Sequence, residues 1–108
     1  MKALQIKDII LESLDDIKAI NPIALNVQSL STLTDYMIIA SGTSNRHAQS
    51  MGEKVVSGLK DKKIKGLRTE GMAGDDWFLV DVGEVVVHLM SHEARDFYDL
   101  ESLWDGDL

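Results

Sequence analysis

Tyr36-Met37-Ile38-Ile39-Ala40-Ser41-Gly42-Thr43-Ser44-Asn45, residues 36–45, is the stretch that decides the fold. Its first five residues are apolar without interruption, the pattern of a central strand covered on both faces rather than one. The Ser-Gly-Thr-Ser-Asn that follows supplies a turn and several candidate N-caps. Ala48, Met51, Val55 and Leu59 then recur at helical spacing to about Lys62. A buried strand that turns directly into an amphipathic helix predicts an α/β unit.

Upstream, Ile6, Ile9, Ile10, Leu14, Ile17 and Ile20 fall on one helical stripe, which Asn21-Pro22 should end because the residue before proline is pushed out of the α region. Ile23, Leu25 and Val27 alternate with Ala24, Asn26 and Gln28, predicting a strand with one buried face. Downstream, residues 67–70 read as a short edge strand and 71–76 as a loop. Residues 77–82 and 84–90 read as two strands joined at Gly83, where a tight hairpin needs positive φ. Ser91 reads as an N-cap with Glu93 in the first turn of a closing helix whose Ala94, Phe97, Leu100 and Trp104 share one side, followed by a frayed tail, 105–108. The expected architecture is a single α/β domain over residues 1–108, a mixed five-stranded sheet with flanking helices.

A chain of 108 residues, 44% hydrophobic and 27% charged, has the size and composition of one soluble globular domain. It has no cysteine, so no disulfide can form. Asp8 and Glu12 interrupt any signal-peptide core, and no apolar run approaches bilayer length, so a cytoplasmic protein without a membrane partner is expected.

Charge is divided unevenly. Residues 1–68 hold ten Lys or Arg against seven Asp or Glu, whereas residues 69–108 hold eleven acids against Arg95 alone, so the net −7 is the sum of +3 and −10. The acidic part also carries both tryptophans, Trp77 and Trp104. Aromatics set among acids suit a basic partner, since opposite potentials steer encounter while buried rings supply affinity. Trp77, beside Gly74-Asp75-Asp76, is the expected anchor, with Tyr98 at the edge of the closing helix's stripe. The run Lys60, Lys62, Lys63, Lys65 and Arg68 reads as a solvated helix end that complements the dipole, and no sequence-specific nucleic-acid partner is expected.

Catalytic patterns are weak. Gly42-Thr43-Ser44 at a strand-to-helix junction could cradle a phosphate, but no Walker or dinucleotide fingerprint accompanies it, and turn plus cap is the favoured reading. The three histidines, His47, His88 and His92, fit no zinc spacing, so no metal or other cofactor is expected. His88 reads as closing a hydrogen bond at the sheet surface, and Asp81 near the hairpin as accepting a backbone amide. No neighbouring carboxylate pair stands on a strand as two-metal nucleotidyl transfer requires.

Residues 33–47, from Leu33-Thr34-Asp35-Tyr36 to Asn45-Arg46-His47, resemble the signature of the ribosomal silencing factor family, also called RsfS or Iojap. The second half is similar to that family in the same order. It shows Glu70-Gly71, Asp76-Trp77, Val80-Asp81-Val82-Gly83-Glu84-Val85-Val86-Val87-His88, Glu93-Ala94-Arg95-Asp96-Phe97-Tyr98-Asp99-Leu100-Glu101 and Leu103-Trp104. The resemblance implies a nucleotidyltransferase-like fold lacking its catalytic carboxylates, and a protein that is not an enzyme. It also implies attachment to the fourteenth protein of the large ribosomal subunit at the surface that meets the small subunit. Subunit joining would thereby be blocked and translation repressed when nutrients fall. Carried over by residue, it places partner contacts at Trp77, Asp81 and Glu84 on the hairpin, extended by His88, Glu93, Arg95, Tyr98, Asp99 and Leu100. The competing expectations are a nucleotide-binding or nucleotidyltransferase-like enzyme using residues 41–47, and self-association to a homodimer through an uncovered sheet face or edge.

Overall fold

The structure, a computed structural model, describes residues 2–71 and 76–104, with backbone alone for Tyr98, Leu103 and Trp104. The tail 105–108 and most of the loop 71–76 lie outside the described residues. The chain runs α1 (Ala3–Asp16), β1 (Ile20–Asn26), β2 (Tyr36–Gly42), α2 (Asn45–Asp61), β3 (Arg68–Glu70), β4 (Trp77–Asp81), β5 (Val85–Ser91), α3 (His92–Tyr98) and α4 (Leu100–Trp104). The sheet order is β1-β2-β5-β4-β3, with β2 and β5 parallel and every other pair antiparallel. This is the expected α/β class with a mixed five-stranded sheet.

Period-two alternation explains the layers. Ile38 and Ala40 of β2, Val80 of β4 and Val85, Val87 and Leu89 of β5 point to one face, where they pack with Ile6, Ile10 and Leu14 of α1 and Met51, Val55 and Leu59 of α2. Met37 and Ile39 point to the other face and cluster with Val27, Ile23, Leu25 and Leu100. β2 is apolar throughout because both faces are covered along it.

The α2–β4 approach depends on one glycine. A Cβ at Gly52 would fall inside the Phe78 ring. Gly52→Ala adds helical propensity worth about 1 kcal/mol but forces that ring off its seat, and overpacking of this kind costs about 1–3 kcal/mol. We expect Gly52→Ala to lower stability by about 1 kcal/mol in urea unfolding; a stabilised variant would show that Phe78 moves at no cost.

Three boundaries differ from expectation. α1 stops at Asp16, and β1 starts at Ile20 rather than Ile23: Lys18 adopts φ 57° and the amides of Lys18 and Ala19 bond back to the carbonyls of Asp15 and Leu14. Pro22 is tolerated inside β1 because this is an edge strand whose register is interrupted between Ile20 and Ile23, with Asn21 at φ 52°. Finally, the closing helix is broken. Asp99 adopts φ 47° and ψ 53°, a left-handed conformation that Asp accepts more readily than most residues, and its carboxylate accepts the Ser102 hydroxyl at 2.6 Å. The expected stripe is therefore corrected: Ala94 is buried, but Phe97 is 81% exposed, and Arg95 takes the inward place.

Candidate partner-docking surface

α1 and α2 cover one face of the sheet; on the opposite face Leu100 of α4 meets Val27, Met37 and Ile39, and Met90 is fully buried where β5 runs into α3. On β4 and β5 that second face presents Trp77, Leu79, Asp81, Val86 and His88, all half-buried. Leu79 lies directly opposite His88 in the ladder, and Trp77 diagonally from it. Trp77 Nε1–H donates to His88 Nδ1 at 3.0 Å, with ring centroids 5.6 Å apart and planes tilted by 56°. The two side chains thus hold each other upright on the sheet. Burial pushes His88 from 6.5 down to about 4, which keeps Nδ1 available as the acceptor.

That shift fixes a sign. The folded value lies below the unfolded one, so between about pH 6.5 and 4 the unfolded chain holds a proton that the folded chain lacks. The contribution is complete above pH 6.5 and declines as pH falls, by about 1–3 kcal/mol at pH 4. A proton on Nδ1 would also break the bond from Trp77. We expect the His88 imidazole to stay neutral to near pH 4 in an NMR titration; a midpoint at or above 6.5 would contradict the burial described.

The ends of this face are acidic. At the hairpin, Asp81 Oδ1 accepts the Gly83 amide at 2.7 Å, Asp81 Oδ2 meets Arg68 at 3.3 Å, and Thr34 Oγ1 donates to the Gly83 carbonyl at 2.6 Å. Gly83 itself sits at φ 84°, as the tight turn requires. Glu84 is exposed on the same turn. At the other end Trp77 pairs with Met90, and β5 runs directly into α3, where Glu93, Asp96 and Asp99 are exposed. His92 and Asp96 stand 3.6 Å apart on this short helix.

The structure brings Trp77, Asp81 and His88 onto one face, with Glu84 on the hairpin at one end and Glu93 in the first turn of α3 at the other, whereas Asp99 lines a concavity with Ile20 and Asn21 of β1. It turns Arg95 and Leu100 inward. Arg95 is 8% exposed; Nη1 donates to the Ile20 carbonyl at 3.1 Å and to Ser41 Oγ at 3.3 Å, and Nε donates to Glu101 at 3.0 Å. Arg95 and Leu100 hold α3–α4 on the sheet. The side chain of Tyr98 lies outside the described residues. Leu79 and Val86, which the sequence reading did not single out, fill the middle of the face; their signal was their alternation with Phe78, Val80, Val85 and Val87.

The junction at residues 41–47 offers an anion little. His47 Nδ1 accepts the Thr43 amide at 2.9 Å, Nε2 donates to the Ile17 carbonyl at 3.0 Å, Ser44 Oγ accepts the His47 amide at 3.0 Å, and the Ala48 amide bonds the Ser44 carbonyl. The Thr43 and His47 amides, which could face an anion, are already bonded within the turn. Among the described residues no three His, Asp or Glu side chains gather as metal ligands, and no helix is long and apolar enough to cross a membrane.

The family model for the ribosomal silencing factor during starvation matches residues 1–107. The chain belongs to the ribosomal silencing factor family. It is 39% identical over 106 residues to the ribosomal silencing factor RsfS of Chromobacterium violaceum, covering 98% of this chain and 87% of that protein. Against RsfS of Haemophilus influenzae it is 35% identical, covering 90% and 95%. A crystal structure of a Chromobacterium violaceum protein superposes with a TM-score of 0.94 at 39% identity, over 98% of this chain and 88% of that one. The mouse protein named for mitochondrial assembly of the ribosomal large subunit is 45% identical over 74 residues, covering 66% of this chain but 32% of its own length.

Proposed function

We propose that this member of the ribosomal silencing factor family acts in the cytoplasm by binding the large ribosomal subunit through the β4–β5 face that carries Trp77 and His88. Its partner there is the fourteenth protein of the subunit, at the surface that meets the small subunit. Occupancy is the mechanism: two bodies cannot fill one interface, so the small subunit is excluded and translation falls when nutrients are scarce. No covalent chemistry is required.

The observation that carries this reading is the Trp77–His88 pair, held at 3.0 Å beside Leu79 on the face whose hairpin carries Asp81 and Glu84. A rigid aromatic centre surrounded by polar groups is the usual make-up of a binding hot spot, and acids at the rim favour encounter with a basic protein. Family membership supplies the ribosome as the place to look. Co-sedimentation with isolated subunits tests it: the protein should pellet with large subunits and stay in the supernatant with small ones, and equal pelleting with both would contradict it.

A further inference from the structure

Lys60, Lys62, Lys63, Lys65 and Arg68 form an exposed ridge of five cations, interrupted only by Asp61, so the segment carries +4 within a chain of −7. The expected role at the helix end accounts for little of it, because only Lys60 lies in the last turn of α2. The carbonyls there are already bonded by backbone: the Lys62 and Ile64 amides reach the Leu59 carbonyl at 3.2 and 3.1 Å, and the Lys63 amide reaches that of Lys60 at 2.9 Å. Among the described residues no carboxylate comes within 4.0 Å of any of the four lysine ammonium groups, whereas Arg68 pairs with Asp81 at 3.3 Å.

Two apolar anchors hold the ridge in place. Ile64 and Leu67 pack against the main core, so the lysines between and before them are turned outward on a pinned loop rather than a loose one. Lys65 and Arg68 also border a concavity of about 640 Å³ that Met37, Val86 and the Asp81–Gly83 turn line as well. The ridge therefore flanks the hairpin end of the docking face. Arg68 ties the ridge to the acidic hairpin through Asp81 at 3.3 Å, while the four lysines have no carboxylate within 4.0 Å among the described residues.

From this geometry we infer that the ridge of residues 60–68 binds the phosphate backbone of RNA beside the docked ribosomal protein. The inference rests on the docking reading above. Clustered lysines without a carboxylate partner release counterions when they meet phosphates, so binding gains a steeper salt dependence than the acidic face and a basic protein alone would give. Recognition is by charge, and no base is read. The acidic face and the basic ridge thus divide the labour between a basic protein and its RNA surroundings.

The test compares the wild-type protein with Lys62→Gln/Lys63→Gln/Lys65→Gln for binding to purified large subunits over a range of salt, and to the isolated fourteenth protein. All three lysines are exposed, so the fold should be retained. For the triple variant we expect subunit affinity to drop about tenfold near 0.1 M salt, and the log–log salt slope to become shallower by about 2–3. Affinity for the isolated protein should stay unchanged. Wild-type binding to subunits with an identical slope and affinity in the variant would overturn the RNA contact while leaving the docking face standing. An equal loss against the isolated protein would overturn it too, by making the ridge part of the protein interface. A wild type that does not bind large subunits at all would remove both readings.

Discussion

Trp77→Ala should weaken binding to large ribosomal subunits by about 30-fold or more, which corresponds to about 2 kcal/mol. The indole stands half-buried on the β4–β5 face, and its N–H is bonded to His88 at 3.0 Å, so the ring is already ordered before a partner arrives and little entropy is lost on binding. Among the described residues it belongs to neither core cluster, and circular dichroism and urea unfolding should report a folded variant. Trp77→Phe keeps an aromatic ring but loses the bond to His88, and its affinity should fall between the two. Unchanged affinity in Trp77→Ala would remove this residue from the interface.

Arg95→Ala should cost about 3 kcal/mol of stability, measured as a lower urea midpoint with an unchanged slope. The guanidinium is 8% exposed and joins three places distant in sequence: the Ile20 carbonyl at the start of β1, Ser41 at the end of β2, and Glu101 in α4. Its removal leaves a carbonyl and a carboxylate short of a donor and opens a void under α3. Glu101 is partly exposed, so water recovers some of its loss and the figure stays at the low end for a broken buried pair. Lysine cannot rebuild the fork, because one ammonium group cannot reach along these separate directions. Arg95→Lys should recover less than half of the loss, and full recovery would show that charge alone is what the site needs.

Much of this molecule was legible in its residues because local pattern and global packing agree. The apolar run 36–40, the alternation on either side of Gly83 and the caps Ser44 and Ser91 each specified an element that forms. What was not legible depended on partners far away in the chain. The α3–α4 break was hidden because apolar spacing continues through Leu100, and the cost of a left-handed Asp99 is small once Ser102 bonds it. The resemblance places Arg95 among the partner contacts, and its inward role shows only in the fold because two of its acceptors lie 75 and 54 positions away. Leu79 and Val86 could not be assigned to a face until the sheet order showed that α1 and α2 cover the opposite side. For the same reason the hairpin acids Asp81 and Glu84 were easier to place than the residues of the closing helix. A two-residue turn is a local matter, whereas the inward or outward sense of α3 is decided by β1 and β2.

Steric exclusion is the central claim, and subunit joining measures it directly. Purified small and large subunits are mixed at a magnesium concentration that favours 70S particles, with this protein saturating the large subunit beforehand, and joining is followed by light scattering and sucrose-gradient profiles. The account predicts that 70S formation is strongly reduced, that the protein migrates with the large subunit, and that Trp77→Ala restores joining at the same concentration. Normal 70S assembly with the wild-type protein bound at saturation would contradict it.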